Sequence, residues 1–180
     1  RSSIRTLSKT TLGFDAFTVS FNAASSRQLL VSGLQDSVAL SLSKRGEVLA
    51  RVTMKLRLGT GEAGLPDNLV KSIWLPDSLS RCAILSTRAI KVYDLAKDTA
   101  NPTHHFYFHD DVTIKDLVVA RTALASLVLV AMTSSGILYV SPLTDSAAAG
   151  GSSIGGGVSG VTPKLLAKTL RVAPELRSRV

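Results

Sequence analysis

A chain of 180 residues is long enough to bury a core, and its 45% hydrophobic content excludes global disorder. The formal net charge of +8 is spread along the chain rather than gathered into a block, so a nucleic-acid partner is not expected. The only cysteine, Cys82, excludes an internal disulfide framework and a cysteine-based zinc cluster. It fits an intracellular, reducing compartment, cytoplasmic or nuclear.

The first ten residues, RSSIRTLSKT, are basic and lack the apolar stretch of a signal peptide, so residues 1–13 read as a basic extension. Arg1 is not an initiator methionine, and a segment of a longer polypeptide is expected. The most apolar run, 123–132, is about half of the ~20 residues that a spanning helix needs, so no membrane span is expected.

From residue 14 onwards the dominant signal has a period of two. In RVTMKLRL (51–58), Val52, Met54, Leu56 and Leu58 share one face, and Arg51, Lys55 and Arg57 share the other. Side chains of a strand alternate between its faces, so the stretch reads as a half-buried strand with a basic outer surface. Further short β-rich runs fall at 18–21, 28–32, 38–42, 71–75, 81–85, 90–93, 106–108, 117–119, 127–132 and 137–140. Turn signals separate most of them, among them Gly33, Gly46, Pro76-Asp77, Asn101-Pro102 and Ser134-Ser135-Gly136. No convincing helical period precedes residue 160. The fold class expected is all-β.

The strands repeat. TVSFNA at 18 aligns with KSIWLP at 71, placing Phe21 on Trp74, 53 residues on. The same offset places QLLVSG (28–33) on RCAILS (81–86), and a third copy opens with IKDLVV (114–119). Four-stranded antiparallel units at roughly 40–50 residues are the signature of propeller blades. Residues 14–143 therefore read as about three blades of a partial β-propeller. Their structural positions are Phe21, Trp74, Tyr93, Asp94 and Gly136. AIKVYDL (89–95) is the third strand of the second blade, with Tyr93-Asp94 where WD repeats often carry Trp-Asp. Three blades do not close a ring of the usual four to eight, and the remaining blades are expected outside this segment.

SAAAGGSSIGGGVSG (146–160) is low-complexity, so 144–161 reads as a flexible insertion in the third blade. In 162–180, Lys164, Lys168 and Arg171 alternate with Leu165, Leu166, Leu170 and Val172. This stretch supplies either the blade's last strand or a short basic helix of the calmodulin-target kind, which makes calmodulin a candidate partner.

Candidate chemistry is sparse. Gly155, Gly157 and Gly160 satisfy G-x-G-x-x-G, but they lack the preceding strand and following helix of a dinucleotide site and read as linker. HHFYFHDD (104–111) gathers His104, His105 and His109 beside Asp110 and Asp111. Strand parity points His105, Tyr107 and His109 outward and Phe106 and Phe108 inward, the pattern of a solvated strand face rather than a zinc site. Cys82 lies mid-strand in an apolar run, the setting of an inert thiol. No serine is placed by sequence near a His–Asp pair. No catalytic, cofactor-binding or metal-binding residue is assigned.

Read together, FTVSFN at 17, LLVSGLQDSVALSLSKRGEV at 29, VKSIWLPDS at 70, AIKVYDLAKDTANPTHHFYF at 89, IKDL at 114 and MTSSGILYV at 132 resemble one family. It is the propeller-like, WD-repeat-like region of the giant calossin/pushover/BIG ubiquitin ligases, the very large N-recognins. The resemblance covers about residues 14–142. It implies a non-catalytic scaffold within an E3 ubiquitin ligase of the N-degron type, whose zinc-bound UBR box and ligase module lie elsewhere in the parent protein. The implied partners are other domains of the same chain and protein substrates or adaptor subunits. The other readings of the residues are a WD-like scaffold in an unrelated trafficking or chromatin assembly, and an enzyme carried on propeller loops.

Overall fold

The computed structural model describes residues 8–56, 58, 67–108 and 112–143, together with the backbone of 164–165 and 169–171. Every named element is a strand, and the strands build three separate sheets with no closed barrel. The first sheet is a meander of β1 (Thr18–Asn22), β2 (Ser25–Ser32), β3 (Ser37–Leu42) and β4 (Val48–Met54). The second runs through β5 (Leu69–Trp74), β6 (Arg81–Ser86), β7 (Ala89–Asp94) and β8 (His104–Tyr107), and β12 (Lys164–Leu165) joins β8 in parallel at its edge. The third consists of β9 (Ile114–Arg121), β10 (Leu127–Thr133) and β11 (Ile137–Leu143), with β13 (Thr169–Arg171) antiparallel to β11. The fold is all-β, made of blade-like sheets.

Strands β1 to β11 fall on the expected β-rich runs. The largest departure is at 51–58, where β4 begins at Val48 and ends at Met54. The Lys55 amide leaves the ladder there and donates to the Thr99 carbonyl at 3.1 Å, drawing the chain toward the β7–β8 loop. The facing still alternates: Val52, Met54 and Leu56 turn toward the second sheet, while Arg51 and Lys55 are exposed. Between 164 and 171 the period left strand and helix open, and the backbone of 164–165 and 169–171 is strand. The expected insertion at 144–161, with its three glycines, lies outside the described residues.

Turn chemistry closes the hairpins. Gly46 (φ 81°) and Gly136 (φ 76°) supply the left-handed conformation between β3 and β4 and between β10 and β11, where a side chain would strain the backbone. Asn22 holds the β1–β2 corner: its Oδ1 accepts from the Ala24 amide at 2.9 Å.

The sheets stack face to face on two apolar slabs. Between the first and second lie Leu30, Ala39, Met54, Leu56, Trp74, Cys82, Ile84 and Tyr93. Between the second and third lie Leu85, Ile90, Val92, Phe106, Phe108, Leu117, Leu129 and Ala131. The second sheet is covered on both faces, which is why RCAILS and AIKVYD read as apolar runs rather than clean alternations. Polar pairs join the same layers. Ser32 Oγ lies 2.8 Å from Ser37 Oγ and 2.7 Å from Ser72 Oγ, a buried hydroxyl chain linking first sheet to second. Lys71 Nζ meets Asp116 Oδ1 at 2.5 Å between second and third. Each fully buried aliphatic side chain contributes ~1.5–3 kcal/mol, against at most about 1 kcal/mol for a solvent-exposed ion pair. Apolar packing therefore holds the stack, and the polar pairs set its register.

Candidate functional site

The stack leaves polar side chains in solvent at the turn-lined ends of its sheets. At one end, Arg121 at the close of β9 bridges two turns. Its Nε donates to Asp77 Oδ2 at 2.9 Å, in the β5–β6 turn, and its Nη1 donates to the Ala125 carbonyl at 2.8 Å, in the β9–β10 turn. Among the described residues, Asp77 (φ 57°) and Ala125 (φ 60°) are the non-glycine residues with left-handed backbone, and the alanine methyl has no polar atom to offset the strain with a local hydrogen bond. Beside this bridge opens a cleft of about 380 Å³, lined by Arg81, Arg121, Ser126, Leu127 and Leu143 among others. Its lining combines two arginines and a serine with aliphatic side chains. A nucleophile paired with a base is not among these lining residues. Sequence reading saw the Pro76-Asp77 turn but missed the bridge, because Arg121 lies 44 residues away and no local pattern links the two.

The opposite turns hold a polar knot. Asp67, buried, accepts from Ser86 Oγ at 2.7 Å and from Thr87 Oγ1 at 2.6 Å, and Ser86 Oγ in turn accepts from the Ala89 amide at 3.1 Å. These bonds give each carboxylate oxygen a donor and fix the β6–β7 turn, so the knot is structural.

The residues singled out by sequence are dispersed. Trp74, Cys82 and Tyr93 form one cross-strand row on the face of the second sheet that meets the first. Asp94 closes β7: its Oδ1 accepts from Ser80 Oγ at 2.7 Å and from the Ala96 amide at 3.3 Å, and Lys97 Nζ lies 3.5 Å from its Oδ2. Gly136 sits in the β10–β11 turn. Phe21, the repeat partner of Trp74, is exposed on the outer face of the first sheet. Burial pushes the Cys82 thiol up to about 12, with the nearby Asp94 charge adding to the effect, so a reactive thiolate does not form.

His104 and His105 do not converge on one site. His104 Nδ1 lies 3.1 Å from Thr103 Oγ1 and its ring stacks on Phe106, whereas His105 lies opposite Lys91 across β7. His109, Asp110 and Asp111 lie outside the described residues. Among the described residues no three His, Cys, Asp or Glu side chains are grouped to hold a metal, and no helix is long and apolar enough to cross a membrane.

Acid should loosen the stack in two steps. Burial, then the neighbouring Lys91 charge, holds His105 below its ordinary 6.5 despite the opposing pull of Asp67. The unfolded chain takes up that proton before the folded one does, so stability falls as pH drops below 6.5. Asp94 is raised by burial, but bonds from Ser80 and the Ala96 amide, with Lys97, outweigh that and hold it below 3.8. The bond from Lys71 does the same for Asp116, against burial and aided by the Leu117 amide. Their contribution is present above the unfolded value and is lost as pH falls through the folded one. Thermal melts from about pH 7 to about pH 3 should show the midpoint falling throughout, with the first step missing in His105→Gln. A midpoint that rises below pH 6.5 would contradict the assignment.

These features define a stack of blade-like β-sheets with polar turns at its ends. No protein-family model matches the chain. It is 29% identical over 139 residues, 77% of its length, to "Auxin transport protein BIG" of Oryza sativa subsp. japonica. It is 28% identical over 142 residues, 79% of its length, to a "Probable E3 ubiquitin-protein ligase" of Dictyostelium discoideum. It is also 28% identical over 140 residues, 76% of its length, to "Protein purity of essence" of Drosophila pseudoobscura pseudoobscura. The resemblance to the BIG/calossin family stands on these matches. The chain spans only 2–3% of the length of these curated relatives, so it is similar to one small part of very large proteins.

Proposed function

We propose that the chain is a non-catalytic scaffold: WD40-like propeller blades within a giant intracellular E3 ubiquitin ligase of the N-degron type, acting in ubiquitin-dependent protein degradation. Its surfaces position protein substrates, adaptor subunits or distant domains of the same polypeptide. The zinc and ligase chemistry belongs to other parts of that polypeptide, and this stretch carries no cofactor. The observation that carries the reading is the similarity to the Dictyostelium probable ligase over 142 residues, 79% of the chain. The fold supports it physically, because a rigid stack with turn-lined ends recognises partners by shape and needs no reactive group.

The test replaces residues 14–143 by a flexible linker in the full-length protein. Self-ubiquitylation with purified activating and conjugating enzymes should persist, while co-purifying partners and substrate turnover are lost. Abolished self-ubiquitylation in a parent that otherwise folds would place catalysis within this stretch. Absence of ubiquitin transfer by the intact parent would favour a scaffold of another assembly.

A further inference from the structure

Three turns at one end of the stack are tied into a single row. Asn22 Nδ2 donates to the Ser78 carbonyl at 2.9 Å and Gln28 Nε2 donates to the Leu79 carbonyl at 3.0 Å, holding the β5–β6 turn to the first sheet. Arg121 holds the same turn to the third sheet through Asp77. The β9–β10 turn closes on itself, the Thr122 amide donating to the Ser126 carbonyl at 2.8 Å and the Ala125 amide to the Thr122 carbonyl at 2.9 Å. Turns fixed in this way add little ordering cost when a ligand arrives. Both residues that Arg121 grips carry left-handed backbone without being glycine, a strain of the kind held at ligand sites. Leu79 and Leu124 stand 60% and 89% exposed in the same two turns.

The cleft beside the bridge combines charge with apolar surface. Leu127, which opens β10, pairs with Arg121 on one side and with Leu143 on the other, so a cross-strand row sets a guanidinium beside two aliphatic side chains. Arg81 lines the cleft from the start of β6, and the exposed Ser126 lines it from the β9–β10 turn. Among the described residues, none that lines it is acidic. A guanidinium has five N–H donors, and the bonds from Nε to Asp77 and from Nη1 to Ala125 use two of them. About 380 Å³ is at the small end of ligand pockets, the size for one or two side chains.

We propose that this cleft binds a short acidic segment of a protein, with a carboxylate on Arg121 and an adjoining aliphatic side chain on Leu127 and Leu143. Arg81 adds to the positive field that draws the segment in. Asp77, its side chain 74% exposed, shares Arg121 with the incoming carboxylate and so competes with it. The aliphatic half of the lining favours a peptide over a free anion, and the lining offers no aromatic ring on which a nucleobase could stack. The proposal rests on the scaffold reading and gives the chemistry of one partner. Its test involves no ubiquitin transfer, so the two can fail separately.

Fluorescence anisotropy on the full-length protein decides it, with a rhodamine-labelled, end-capped peptide of alternating glutamate and leucine as probe. The same peptide with glutamine for glutamate should bind at least ~10-fold more weakly, and Arg121→Gln should weaken the acidic peptide by a similar factor. Arg121 also ties two turns, and Asp77→Asn separates that role from recognition. It breaks the same bridge but removes the competitor, so the acidic peptide should bind ~2- to 5-fold tighter, the equivalent of one exposed ion pair. Should Arg121→Gln fail to fold, Ser126→Asp places a carboxylate in the lining without touching the bridge and should likewise abolish discrimination against the glutamine peptide. Three results would overturn the proposal: no binding of the acidic peptide, equal binding of the glutamine peptide, or a loss with Asp77→Asn as large as with Arg121→Gln.

Discussion

Truncation of Trp74 to alanine is expected to cost ~3–5 kcal/mol, the range for emptying a large aromatic site in a core. Trp74 ends β5 opposite Cys82 and points into the slab between the first and second sheets. Its neighbours there come from both sheets: Leu30, Ala39 and Met54 from the first, Ile84 and Tyr93 from the second. The first sheet cannot close onto the missing ring without breaking the Ser32–Ser72 hydroxyl contact at 2.7 Å, so the cavity would persist rather than collapse. Trp74→Phe should cost much less than Trp74→Ala. Phenylalanine keeps most of the area and removes an indole N–H that is buried with no hydrogen-bond partner among the described residues. Urea unfolding of the two variants, followed by circular dichroism, measures the difference. A loss below ~1 kcal/mol for Trp74→Ala would mean that the first sheet does not cover this face in solution.

How much of this was legible beforehand varies with the physics involved. Half-buried strands were readable because one face is wet: Val52, Met54 and Leu56 alternate with Arg51 and Lys55, and the structure keeps that facing even where β4 itself stops at Met54. The central strands β6 and β7 carry apolar side chains on both faces, so their location came from length and flanking turns rather than from alternation. Repetition aligns Phe21 with Trp74, yet it could not reveal their opposite environments. That difference depends on which sheet has a neighbour, not on either residue. The contacts that tie one sheet to the next were invisible for a related reason. Ser32 with Ser72, Lys71 with Asp116, and Asp77 with Arg121 are each separated by 40 or more residues. A serine or aspartate in a polar stretch carries no mark of its distant partner. The cleft beside Arg121 could be recognised only after the β5–β6 and β9–β10 turns were seen together.

The Tyr93-Asp94 pair divides its work between packing and turn formation, and substitutions should separate the two. Tyr93 is among the largest fully buried side chains, completing the cross-strand row with Cys82 and Trp74. Its hydroxyl reaches the Leu56 carbonyl at 3.4 Å, a long contact that ties the chain just beyond β4 to the second sheet. Tyr93→Ala should therefore destabilise by ~3–5 kcal/mol, almost all of it from lost packing. Tyr93→Phe keeps the ring and forfeits the bond to Leu56, for a loss of about 1 kcal/mol. Asp94 stands at the mouth of the same strand and acts on the turn rather than the slab. Asp94→Ala would leave the Ser80 hydroxyl and the Ala96 amide without their acceptor, at a cost of ~1–3 kcal/mol. It should also flatten the acid limb of the pH profile, because the carboxylate responsible for part of that limb is gone. Denaturant midpoints ranked Tyr93→Phe, Asp94→Ala and Tyr93→Ala, from least to most damaging, would fit a buried ring sealed by a capping carboxylate. If Tyr93→Phe instead costs as much as Tyr93→Ala, the hydroxyl anchors the slab, and β4 is held to the second sheet by a hydrogen bond rather than by Met54 and Leu56.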